Sequence, residues 1–136
     1  DHRDLHKEYR RQRQMCIRDR PTCLLRDELL SIYGIGEETA DDIIVYAAGK
    51  PSFVIDSYTR RIMDRLDMSP DAERPKYSDY QAVFHKHITG EIPLYREFHA
   101  LWDQHAKMAC FKTAPSCDAC CLLDICPTGR RLILNG

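Results

Sequence analysis

The stretch LLSIYGIGEETADDIIVYAAGKPSFVIDSYTRRI, Leu29 to Ile62, decides the fold. At its centre Tyr33-Gly34-Ile35-Gly36-Glu37-Glu38-Thr39-Ala40 is a glycine-flanked turn that opens straight into a helical pattern. Leu25, Leu29 and Ile32 keep one face before the turn, and Ala40, Ile43, Ile44, Ala47 and Ala48 follow it at the three-four spacing of a buried helical stripe. Glycine permits positive φ and close backbone approach. The amides of Gly34, Ile35, Gly36 and the first helical turn around Thr39 can therefore face a phosphate, where the helix dipole adds attraction. Against this, Glu37, Glu38, Asp41 and Asp42 suit a helix N-terminus but repel a polyanion. A Gly-x-Gly turn alone is also an ordinary corner between helices.

Working outward, a third helix is expected from about Asp56 to Leu66 with Ile62, Met63 and Leu66 inward, followed by a Pro- and charge-rich loop from Ser69 to Lys76. Tyr80, Val83, Phe84 and His87 suggest a fourth helix. Tyr95, Phe98, Trp102, His105 and Ala109 suggest a long fifth one running into Cys110. No segment alternates like a strand over any length, and Ser52 to Ile55 is too short to weigh. The expected fold class is all-α.

Cys110, Cys117, Cys120 and Cys126 are separated by six, two and five residues, a spacing that looks like a wrapped iron–sulfur loop. Cluster irons take thiolate ligands, and four sulfurs from one short segment converge easily. Pro115 and the small residues Thr113, Ala114, Ser116 and Ala119 let the loop wind instead of continuing a helix. Two alternatives stay open. Zinc ribbons also use four cysteines, usually as two C-x-x-C knuckles, and only Cys117 to Cys120 has that form. A disulfide framework suits seven cysteines poorly, because the number is odd and no stretch reads as a secretory signal. Cys121 adjoins a ligand candidate and is read as a bystander.

At 136 residues, 43% hydrophobic and 30% charged, the chain suits one domain with a modest core. The formal charge of −1 excludes a globally basic nucleic-acid binder, so any such contact must come from local arrangement. No apolar run approaches a membrane span, and the cysteine usage suits a reducing cytosol. Residues 1–20 are dense in charge and lack an apolar stripe, and the hexapeptide Met15 to Arg20, MCIRDR, resembles a sequencing-adapter junction. This segment is read as foreign or disordered and set aside from fold reasoning. The remaining divisions are expected at 21–55 (helix–hairpin–helix), 56–109 (C-terminal helical lobe), 110–127 (cysteine loop) and 128–136 (tail).

Taken with the downstream cysteines, the Leu29 to Ile62 stretch resembles the endonuclease III family of helix–hairpin–helix DNA glycosylases, over roughly Leu24 to Pro127. Three ordered motifs are more specific together than any one. The resemblance implies two all-α lobes with double-stranded DNA between them, a 4Fe-4S cluster on Cys110, Cys117, Cys120 and Cys126, and a monomer in the cytoplasm at the nucleoid. It implies that Gly34 to Gly36 grips the DNA backbone beside a damaged or mismatched base. It assigns catalysis to Asp56, whose carboxylate stabilises an oxocarbenium-like sugar or activates water. An aspartate before a helix is also a common N-cap, and the two roles are compatible. Arg60 and Arg61, one turn later, are candidates for phosphate contact, although exposed helical arginines are commonly just solvated. His99, His105, Phe98 and Trp102 are read as packing residues.

One position departs from the family. Bifunctional members carry a lysine after the hairpin whose amine forms a Schiff base with the sugar, and here Glu38 stands in its place. A carboxylate cannot form an imine, so the expectation is monofunctional hydrolysis leaving an abasic site. The alternatives are a bifunctional enzyme using another amine, and a non-catalytic DNA-binding module with a structural metal cluster. In the family a substantial helical segment precedes the hairpin and supplies much of the base pocket. The chain is therefore expected to be a C-terminal portion with exposed apolar faces and marginal stability on its own.

Overall fold

The computed structural model describes residues 19–135 together with Lys7. The adapter-like reading of residues 1–20 thus falls, apart from Lys7, Asp19 and Arg20, outside the described residues. Among these, all regular structure is helical: α1 (Thr22–Leu30), α2 (Glu37–Asp42), a π-helical turn (Ile43–Ala47), α3 (Ser57–Arg65), α4 (Tyr77–His87), α5 (Ile92–Met108), a 3₁₀ turn (Leu123–Ile125) and α6 (Pro127–Leu134). The all-α expectation holds, and none of these helices is long and apolar enough to cross a membrane.

Register differs from the periodicity in the second helix. Ala40, Asp41, Ile44, Val45 and Ala48 are buried while Ala47 is exposed, because the π-helical turn inserts one residue into the 3.6-residue repeat. The turn ends on Gly49 at φ +64, with Ala48 N–H donating to Ile43 O at 2.9 Å and Lys50 N–H to Ile44 O at 3.0 Å, the left-handed glycine stop of a helix. Ile32, expected on the α1 face, lies past the helix end and is exposed. His87 is exposed as well.

Two apolar clusters form. Leu25, Ile44 and Ala48, with Leu29 against them, join α1 to the π-helical turn. The larger cluster gathers Val45, Phe53, Val54, Ile55, Met63, Tyr77, Tyr80, Phe84 and Tyr95, with Phe98 and Trp102 packed on it. At its heart runs the non-helical segment Ser52 to Ile55, buried throughout. Phe53 stacks on Phe84 with ring centroids 3.7 Å apart and meets Tyr95 edge-on at 5.4 Å.

A buried extended segment outside any sheet must find partners for its amides and carbonyls elsewhere. Helix α4 supplies them. Phe53 N–H donates to His85 Nε2 at 3.1 Å, Ile55 N–H to Tyr77 Oη at 3.1 Å, and Gln81 Nε2 donates to Phe53 O at 2.7 Å. This anchoring fixes the segment that leads into Asp56. Beyond Cys126, the segment expected as a tail carries α6, which starts with Pro127 in the first turn, a position where the missing N–H costs nothing.

Candidate functional site

The hairpin Gly34 to Gly36 is solvent-facing, apart from the half-buried Ile35. Gly34 sits at φ +89, a conformation that a side chain would strain. Gly36 does not need that freedom: it caps α2 in extended backbone at φ −91, and a Cβ built there meets nothing within 4 Å. Its value lies in the open space above it. Thr39 is exposed on the first turn of α2.

Asp56 caps α3, its Oδ1 accepting the Thr59 N–H at 2.6 Å. The same carboxylate meets a second group: His99 of α5 places Nε2 3.3 Å from Oδ2. His99 Nδ1 lies 2.9 Å from the Tyr46 hydroxyl. Tyr46 belongs to the π-helical turn, which Arg96, one turn before His99, holds by donating from Nε and Nη2 to Val45 O at 3.1 and 2.5 Å. The Arg96 guanidinium also lies 5.6 Å from the Tyr46 ring centre. Residues from α5, the π-helical turn and the start of α3 thus converge on one carboxylate. The packing reading of His99 does not hold. Sequence reasoning missed it because a histidine inside an aromatic-rich helix carries no mark of which element its ring will meet.

The electrostatics follow from this geometry. Burial pushes the Asp56 carboxyl up, but the hydrogen bonds from His99 and Thr59 outweigh it and hold the group below the ordinary carboxylate range. His99 is raised, chiefly by its hydrogen bond to Asp56, with burial opposing. Glu38, though exposed, is raised by partial burial first and then by the charges of Asp56 and Asp42. Asp42 is likewise raised by burial, with Asp56 adding to the shift and His99 opposing it. Two carboxyls are thus pushed up and one is pulled down in the same electrostatic neighbourhood.

Arg60 and Arg61 part company. Arg61 donates from Nε to Cys110 O at 3.0 Å and from Nη2 to Ala106 O at 3.3 Å, tying off the C-terminus of α5. Arg60 rests its guanidinium over Tyr80 at 5.4 Å and Tyr77 at 5.9 Å, and among the described residues its side chain makes no hydrogen bond or ion pair. Its N–H edges remain free for a phosphate. It opens onto a surface recess shared with Ser57, Arg61, Asp64, Arg65 and Lys112.

The four cysteines come together. Cys110, Cys117, Cys120 and Cys126 line one small pocket with Ile62, Leu66 and Pro115. Arg65 Nη1 donates to Cys110 Sγ at 3.0 Å, Leu122 N–H to Cys120 Sγ at 3.4 Å, and Gly129 N–H to Cys126 Sγ at 3.3 Å. His105 Nε2 lies 3.6 Å from Cys120 Sγ. Burial and then the three neighbouring sulfurs push the Cys117 thiol up, so the thiolates crowd one another unless positive charge stands among them. No three His, Cys, Asp or Glu side chains among the described residues are grouped to hold a single metal ion. Four soft donors around a shared pocket, with N–H groups aimed at three of them, fit an iron–sulfur cluster. Cys121 is exposed.

No protein-family model matches the chain. It is 41% identical over 118 residues to a protein of Methanocaldococcus jannaschii named "Putative DNA repair glycosylase MJ1434", an alignment covering 87% of this chain and 52% of that protein. It is 34% identical over 102 residues to endonuclease III of Sulfolobus acidocaldarius, covering 75% of this chain and 44% of the relative. Endonuclease III of Bacillus subtilis is 25% identical over 108 residues, 78% of this chain and 47% of the relative. The chain spans about half the length of the curated relatives it matches. Two solved structures share its fold: a trapped covalent endonuclease III–DNA intermediate (TM-score 0.69, 24% identity, 79% of this chain and 49% of the other) and a non-covalent endonuclease III–DNA complex (TM-score 0.71, 23% identity, 85% and 51%).

Proposed function

Because this chain belongs to the endonuclease III family, we propose that the protein it represents is a DNA glycosylase that hydrolyses the N-glycosidic bond of a damaged or mismatched base in double-stranded DNA. The observation that carries the reading is the Asp56 carboxylate, held ionised 3.3 Å from His99 and beside the helix that leaves the hairpin.

The base leaves with the electron pair of the glycosidic bond, and positive charge develops on the deoxyribose. A fixed carboxylate stabilises that charge, or takes a proton from the water that attacks the same carbon, and an abasic site remains. Two N–H groups already orient Asp56, so little reorganisation is needed. The exposed backbone at Gly34 and Gly36, on a turn closed by the Ile35 N–H donating to Ile32 O at 3.1 Å, and the free edges of Arg60 supply contacts that set the duplex in place without reading its sequence. The target base must leave the stack to reach the carboxylate.

Hydrolysis without strand cleavage is the finer reading. Glu38 occupies the place of the lyase lysine, and it lies close enough to feel the Asp56 charge. Lys107, whose charge interacts with Asp56, pairs with Asp103 at 2.7 Å and is raised by that hydrogen bond first. A protonated amine is a poor nucleophile. Cys110, Cys117, Cys120 and Cys126 would hold a 4Fe-4S cluster that supplies a rigid centre for the loop joining α5 to α6.

The test is to incubate the full-length protein with duplexes carrying alkylated, oxidised or mismatched bases and then treat them with hot alkali. Breaks that appear only after alkali support hydrolysis, and an adduct trapped by borohydride before alkali overturns the monofunctional reading. Asp56→Asn should lower release at least about 100-fold while duplex affinity persists. Duplex binding with no release from any substrate would leave a non-catalytic module instead.

A further inference from the structure

We infer that His99 is the positioning residue of Asp56, with Tyr46 fixing the ring from behind. The inference rests on Asp56 acting as proposed above. An ionised carboxylate only accepts hydrogen bonds, so the 3.3 Å contact requires His99 Nε2 to donate to Asp56 Oδ2. In the neutral ring Nδ1 is then the acceptor, and the Tyr46 hydroxyl 2.9 Å away is its donor. The chain of donors runs in one direction, from Tyr46 through His99 to Asp56. It selects the tautomer as an outer hydrogen bond does for catalytic imidazoles generally.

The arrangement does more than fill space. Oδ1 of Asp56 is held by the Thr59 N–H of its own helix at 2.6 Å, which leaves rotation of the outer oxygen to be fixed by another element, and His99 fixes it from α5. When protonated, His99 still donates from Nε2 to Asp56, Nδ1 then donates to the Tyr46 oxygen, and the ring becomes a positive partner for a cluster of acids. The charged and titratable groups facing the pair are Glu38 and Asp42 from α2, Tyr46 from the π-helical turn, Asp103 and Lys107 from α5, and Arg60 from α3, with Arg96 acting on Tyr46. With His99 removed, three carboxyls face one another, and like charges raise one another's proton affinity. Asp56 would then take up its proton at a higher pH, and its outer oxygen would lose its donor.

The experiment measures single-turnover base release by the full-length protein across pH, on duplexes carrying a G·T mismatch, an alkylated purine or an oxidised pyrimidine. His99→Ala should slow release about tenfold or more, leave duplex affinity within about threefold, and move the acidic limb of the profile upward by about one pH unit. His99→Asn, which keeps an amide N–H near the same place, should restore most of the plateau rate. Tyr46→Phe deletes one oxygen from a partly exposed side chain and should give a smaller loss of about threefold. It stands in if His99→Ala does not fold. An unmoved acidic limb, or His99→Asn as slow as His99→Ala, overturns the inference in favour of packing. Release by the wild type that His99→Ala leaves unchanged overturns this inference alone. No release by the wild type from any duplex overturns the glycosylase reading and this inference with it.

Discussion

Asp41 has no exposed surface, and Arg26 meets both of its oxygens, through Nε at 3.0 Å and Nη2 at 3.1 Å. The Ser52 hydroxyl donates to the same carboxylate at 2.6 Å and Gln81 Nε2 at 3.0 Å. One acid of α2 thereby ties α1, α4 and the buried Ser52 to Ile55 segment to the hairpin. The sequence reads Asp41 as one of four acids that suit a helix N-terminus and repel a polyanion. In the fold it faces inward.

Removing one partner of such a pair strands the other. Asp41→Ala should destabilise the protein by about 3 kcal/mol, and Arg26→Met by a comparable or somewhat smaller amount because Arg26 is partly exposed. Urea unfolding should show the midpoint falling with an unchanged slope.

The Asp56–His99 pair makes stability depend on pH. Asp56 is lowered in the folded protein, so its contribution is present above the unfolded carboxylate range near about 4 and fades as pH falls through the folded value. His99 is raised, so its contribution is complete below about 6.5 and fades as pH rises through its folded value. The pair therefore stabilises most between about pH 4 and 6.5. His85 gives the opposite slope: its Nε2 accepts the Phe53 N–H, and burial lowers it. The difference in Tm between wild type and His99→Asn isolates the pair and should be largest in that window, shrinking above it. A difference that stays flat from pH 4 to 8 would contradict the pairing.

Glu38 offers a gain-of-function test. Glu38→Lys puts an amine beside Asp56, where the negative charge and partial burial act on it in opposite directions. Borohydride treatment on an abasic duplex should trap a covalent protein–DNA adduct with Glu38→Lys and none with the wild type. Trapping by the wild type would place the amine elsewhere.

The cysteine loop predicts a coloured protein. Anaerobic preparations should be yellow-brown and carry iron and sulfide in equal amounts. Cys117→Ser should lose the colour and lower stability by several kcal/mol, because binding of the cluster contributes to folding. A colourless wild type containing zinc would overturn the cluster assignment. Arg65→Met, which removes the donor to Cys110 Sγ and to Phe111 O and Lys112 O, should keep the cluster but speed its loss in air.

The all-α class, the hairpin, the helical start at Asp56 and the convergent cysteines were legible in the sequence because each rests on local spacing. Glycines at a turn, a three-four stripe and four thiols within seventeen residues act over distances the chain itself sets. Local spacing fails wherever a residue is defined by a distant partner. The π-helical turn shifts the burial register after Asp42, stabilised by Arg96 from 51 positions away, and no period in the stretch announces it. Ser52 to Ile55, too short to rank as a strand, is the centre of the core because α4 satisfies its backbone. Arg60 and Arg61, adjacent and alike in sequence, take different work because one side chain meets tyrosine faces and the other meets the end of α5. Asp56 could be chosen from its place after the hairpin, but its partner could not. His99 lies 43 residues downstream, and only the packing of α5 against the π-helical turn brings its ring to that carboxylate. Local hydrogen bonding and periodicity write themselves into sequence, whereas the charge state of a site depends on which surfaces close over it.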